Sequence, residues 1–87
     1  MMTSAIGLTA DLASLERLIR WIAPRTVGRD CVLERLAEVK TAAPDFGRLH
    51  QAVCRLSRAL GQLYPHSAVI SLAQRRVRDM ALALAHR

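Results

Sequence analysis

The sequence predicts an all-α protein, a small four-helix bundle built on a long antiparallel helical hairpin, with helices at about 9–22, 30–41, 45–64 and 67–86. Three observations lead there. In "FGRLHQAVCRLSRALGQL", residues 46 to 63, apolar side chains fall at Phe46, Leu49, Val53, Leu56, Leu60 and Leu63, a 3-4-3-4-3 spacing that keeps one helix face apolar. A second such seam, Ile70, Ala73, Val77, Met80 and Leu84, follows after only "YPHS". Pro24, Gly28, Pro44 and Pro65 then divide the chain into four segments.

The first helix is expected to start at Thr9 as N-cap, with Asp11 in the first turn, where the helix dipole favours an acid. Leu12, Leu15, Ile19 and Ile22 form its stripe, and Leu18 and Trp21 widen it. Glu16 and Arg20 make an i,i+4 pair on the wet side. "APRTVGR" ends the helix. The second helix, capped by Asp30, carries Val32, Leu33, Leu36 and Val39 as its apolar face and Glu34 and Glu38 as acids. Pro44 stops it. Twenty residues in each of the last two helices would make rods of about 30 Å, and the short turn between them requires an antiparallel pair.

A chain of 87 residues is expected to form one domain, 1–87, with 1–8 a flexible arm. A domain of this size buries only roughly 60 to 65% of its unfolded surface, so its core is modest. The apolar fraction of 52% argues against disorder and for some apolar surface that meets a partner. No apolar run reaches the ~18 residues of a membrane span, and the start "MMTSAIGLTADL" lacks the order of a signal peptide, so a cytoplasmic address is expected. Cys31 and Cys54 are expected to be reduced, buried thiols, with a bond between them, stapling two helices, as the alternative.

Charge is uneven. Residues 1–44 hold six basic and five acidic side chains, whereas 45–87 hold seven basic and two acidic ones. The excess favours an acidic partner, whether nucleic acid, an anionic membrane face or an acidic protein. Helix three also carries a line of small side chains, Cys54, Ser57 and Gly61, that would admit another helix closely. Near the C-terminus Leu82 and Leu84 lie about 200° apart on a helix, so one bundle struggles to bury both. The expected function is therefore a protein-protein interaction module of adaptor, inhibitor or co-chaperone type. Its partner-binding residues would be Cys54, Ser57, Gly61, Leu82, Arg75 and Arg76, docking on another protein with an acidic surface or on a second copy.

DNA binding is the alternative. "LSRALGQLYPHSAVISLAQRRVRD" loosely resembles the helix-turn-helix of phage-repressor-type regulators. That resemblance implies a positioning helix at Leu56, Ala59, Leu60 and Gly61, a cap at Ser67, and Ser71, Gln74, Arg75 and Arg78 reaching bases or phosphates. The segment between Gly61 and Ser67 is two residues longer than the motif's turn, and Pro65 lies within it. "APDFGRLHQAV" followed by "SRAL" is distantly similar to a helix of the needle-subunit co-chaperones of type III secretion.

Catalytic residues, metal ligands and cofactors are not expected. The acids sit on the wet faces of helices one and two, and no Cys-x-x-Cys or His-x-x-x-His occurs, although His50 and Cys54 are one turn apart. Three aromatics, Trp21, Phe46 and Tyr64, are too few for single-strand binding by base stacking. "LASLERLIRWIAPR" could lie at a membrane interface, but its mixed charges favour a core helix.

Overall fold

The computed structural model describes residues 5–42 and 45–85, with side chains from Ala10 onward. Four helices, α1 (Ala5–Arg20), α2 (Arg29–Ala42), α3 (Phe46–Leu60) and α4 (Ala68–Ala85), form an all-α bundle, with no strand among the described residues. Neighbours in sequence pack on one another and α4 closes back on α1. The α1–α4 and α2–α3 pairs are antiparallel: Leu18 and Trp21 of α1 lie beside Val69 and Leu72 of α4, whereas Asp11 lies beside Met80 and Ala83. Likewise Cys31 faces Ala59 and Gln62, while Thr41 faces Arg48 and Gln51. The result is an up-down-up-down rod of 40 × 19 × 18 Å.

The core follows the two predicted seams. Leu49, Val53, Leu56, Leu60, Ile70, Ala73 and Val77 are fully buried or nearly so, and they meet Leu15, Ile19 and Ile22 from α1 and Val32, Leu36 and Val39 from α2. Phe46, the first member of the α3 seam, is 47% exposed, in contrast to the buried seam residues that follow it, and stands at the very start of the helix.

Helix ends depart from expectation where tertiary contacts decide. α1 begins at Ala5, so Thr9 lies inside a helix that takes up residues 5–8 of the expected arm; residues 1–4 lie outside the described ones. α2 starts at Arg29, with Gly28 before it at φ +92° and the Gly28 carbonyl accepting from Val32 N–H at 3.1 Å. Only glycine adopts that φ without strain. Asp45 caps α3, its Oδ1 accepting from Gly47 N at 3.0 Å and Arg48 N at 3.2 Å. α3 stops at Leu60, four residues before the predicted end at Tyr64, because Tyr64 is drawn into an antiparallel bridge with Val27: Val27 N donates to Tyr64 O at 2.7 Å and Tyr64 N to Val27 O at 3.3 Å.

Two polar ties complete the frame. The Glu16 carboxylate takes Lys40 Nζ at 2.7 Å and Arg20 Nη2 at 2.8 Å, so the expected i,i+4 pair also joins α1 to α2. Lys40 first, then Arg20, holds the Glu16 carboxyl below the usual glutamate range. Gln74 Nε2 donates to Leu60 O at 3.2 Å, satisfying a carbonyl at the end of α3 from α4.

Candidate functional site

The residues expected to bind a partner do not share one face. Cys54 and Ser57 are half-buried on α3, with Cys54 Sγ 3.9 Å from His50 Nε2, and Gly61 is exposed beyond them. A Cβ at Gly61 would meet only Arg58 O at 3.4 Å and Ser57 O at 3.8 Å, both of its own helix. No second helix comes close at Gly61, which instead ends α3, its N–H reaching Ser57 O at 3.1 Å. Leu82 is 52% exposed while Leu84 packs half-buried against the core. Arg75 is exposed, but Arg76, about 100° further round, turns toward α1 and donates from Nη1 to Ser14 Oγ at 2.8 Å.

The alternative set is divided as well. Arg75 and Arg78 are exposed, whereas Ser71 Oγ lies 2.6 Å from His66 Nε2 and Gln74 is the α3–α4 tie. Residues 61–67 separate α3 from α4, and the Tyr64–Pro65 peptide within them is cis.

A groove that periodicity alone did not reveal runs between α1 and α4. Leu18, Trp21, Val69 and Leu72 supply its apolar lining and Ser14 and the exposed Arg17 and Arg76 its polar lining, around about 350 Å³. Trp21 is 77% exposed and Leu72 50% exposed. The sequence argument placed Trp21 on the core face of helix one. Its backbone N–H still reaches Arg17 O at 3.2 Å, but Trp21 follows the last residue of α1, Arg20, and the inner place there is taken by the next residue, Ile22, which is buried. The readable signal was Pro24 three residues on, since a residue so close to a helix stop has no following turn to pack beside.

Trp21 is one of several apolar side chains left out at the same end of the rod. That end is formed by the C-termini of α1 and α3, the N-termini of α2 and α4, and the segments joining them. Val27 is 65% and Tyr64 72% exposed, so four of the six large exposed apolar residues, counting Leu72, lie there. The end is internally fastened: besides the Val27–Tyr64 bridge, Arg29 Nε donates to Ile22 O at 3.0 Å, and Thr26 is buried. Its charge is one-sided. Residues 17–30 and 58–68 contain five arginines and one acid, Asp30, whereas the opposite end, residues 5–12, 38–48 and 78–85, has four acids and three bases.

Cys31 is exposed rather than buried, and both cysteines are free thiols. It lines a groove between α2 and α3 with Arg35, Arg55, Arg58 and Gln62. Glu38 engages two of those cations: it is ion-paired with Arg35, and its Oε1 is 3.9 Å from Arg55 Nη1. Glu38 first, and then the Cys31 thiol, raise the Arg35 guanidinium above its ordinary value. Among the described residues no group of three or more His, Cys, Asp or Glu could hold a metal ion, and no helix is long and apolar enough to cross a membrane.

No family model, no curated protein and no solved structure matches the chain.

Proposed function

We propose that the protein is a small helical interaction module, of adaptor, inhibitor or co-chaperone type, that takes an amphipathic helix of a partner protein into the α1–α4 groove. The observation that carries this is the apolar lining of Leu18, Trp21, Val69 and Leu72 set between Arg17 and Arg76. From Ser14 to Trp21 the groove runs about 10 Å along α1, the length of two helical turns, so it suits apolar anchors at i, i+3 or i+4, and i+7. The exposed arginines of the groove favour a partner helix with carboxylates flanking those anchors, and a partly apolar contact resists salt better than a purely ionic one. The docking face is thus the α1–α4 side, in place of the Cys54–Ser57–Gly61 line.

An affinity capture from the lysate of the native host tests this. It uses the tagged wild-type chain and a Leu72→Asp variant, each with and without nuclease. The expected result is a stoichiometric protein that survives nuclease and is lost with Leu72→Asp. Bound nucleic acid, or proteins that leave with nuclease, would overturn the reading in favour of DNA binding through Arg75 and Arg78. Capture undiminished by Leu72→Asp would place the docking face elsewhere.

A further inference from the structure

The arginine-rich end of the rod carries features that the α1–α4 groove does not use. Val27 and Tyr64 line none of the grooves described above, yet they are among the most exposed apolar residues of the chain. They belong to two connecting segments held together by backbone bonds, so they project from a fixed platform. Trp21 stands at the same end, together with the exposed arginines Arg17, Arg20, Arg25 and Arg58.

We infer that this end of the bundle is a peripheral docking surface for an anionic lipid bilayer. Three properties point to that occupant. Trp and Tyr are the side chains that favour the headgroup level, where an amphipathic ring has one apolar and one wet side. Arginines around them complement anionic headgroups: Arg20 is already ion-paired with Glu16, but Arg17, Arg25 and Arg58 are exposed and Asp30 is the one further acid nearby. The sequence charge falls from basic in the segments of the aromatic end to nearly balanced in those of the other, which favours an end-on approach of the rod to a negative surface. This differs from an α1 lying flat in the interface: Leu15, Ile19 and Ile22 are already in the core, and only the tip is free to dip. An apolar tip plus basic residues makes attachment reversible and dependent on both parts. End-on docking leaves the far end of the rod facing solution, but it takes up Trp21, which also lines the α1–α4 groove, so lipid and a groove-bound partner compete for that side chain.

Vesicle co-sedimentation of the full chain decides the matter, with Trp21, the only tryptophan, as an optical probe. Vesicles of equal parts phosphatidylglycerol and phosphatidylcholine are compared with phosphatidylcholine alone. Binding to the anionic vesicles is expected to be at least about tenfold stronger, with a blue shift of Trp21 emission and quenching by brominated acyl chains. Raising salt to about 1 M, where the screening length is ~3 Å, should release most of the protein. The double variant Val27→Asp with Tyr64→Ser, and separately Arg25→Glu with Arg58→Glu, should each lose about tenfold or more in binding with far-UV circular dichroism unchanged. These four side chains are exposed, and the Val27–Tyr64 bridge is made by backbone atoms, so the fold should tolerate the changes. Absence of binding, equal binding to both vesicle types, or binding that both variants retain would overturn the inference. None of those outcomes bears on protein capture through Leu72, which is read in lysate without vesicles.

Discussion

Replacing Trp21 by alanine separates a docking residue from a core residue. A tryptophan exposes up to about 250 Å², and with 77% of it open to solvent only about a quarter, roughly 60 Å², is covered by the protein. At ~25 cal/mol per Å² that contact is worth about 1.5 kcal/mol, and no closed cavity forms because solvent already reaches the site. A buried aromatic would cost about 3 to 5 kcal/mol on truncation, a large part of the roughly 4 to 13 kcal/mol expected for a domain of this length. Urea unfolding followed by far-UV circular dichroism, needed because the variant lacks tryptophan, should show Trp21→Ala losing about 1.5 kcal/mol or less. Leu56→Ala, at a fully buried position, should lose about 2 to 5 kcal/mol. A loss of about 3 kcal/mol or more at Trp21 would mean that its ring is part of the core, and both the groove and the docking end would lose their principal side chain.

Asp45→Ala removes the cap of α3 and should cost about 1 kcal/mol, a fall of roughly 4 to 8 °C in Tm by calorimetry. Gly28→Ala forces a side chain onto a backbone at φ +92°, with Leu63 Cδ2 only 3.4 Å from the new Cβ, and should cost about 1 to 2 kcal/mol in denaturant unfolding. Glu16 has its pKa lowered in the fold, so its contribution is present above the ordinary glutamate pKa of about 4.3 and is lost as pH falls from there through the lowered value. Because Arg20 is exposed, the contribution is small, about 0.5 kcal/mol; Glu16→Gln should be less stable than wild type by that amount at pH 7, and the gap should close at the acid end of a pH series of urea midpoints.

The four helices and most of the core were legible because the 3-4 spacing of Leu49 to Leu60 and of Ile70 to Met80 reports directly which face is covered. The same patterning could not tell where a covered face ends. Phe46 stands in the first turn of α3, and Trp21 just after α1, beside the buried Ile22; spacing assigned both to the interior and tertiary geometry exposes them. Gly61 was read as a close-approach residue from its place in a line of small side chains, yet the line reaches the helix end there and the glycine serves as a cap. Tyr64 left the helix because a bridge to Val27, 37 positions away in sequence, outweighed local propensity. The groove likewise depends on which helices become neighbours: Leu18 and Leu72 carry no shared signal until α4 closes on α1. Leu82, by contrast, was identifiable from helical geometry alone, since two residues turn a helix through about 200° and Leu84 takes the inner place.

Hydroxyl-radical footprinting of the captured complex against the free chain tests most directly whether the α1–α4 groove is the docking face. The expected result is strong protection at Leu18, Trp21, Val69 and Leu72, with Leu82 and Cys54 unchanged. Protection confined to the Cys54–Ser57 line, to Leu82, or to the surface around Arg75 and Arg78, with Trp21 as reactive as in the free chain, would contradict it.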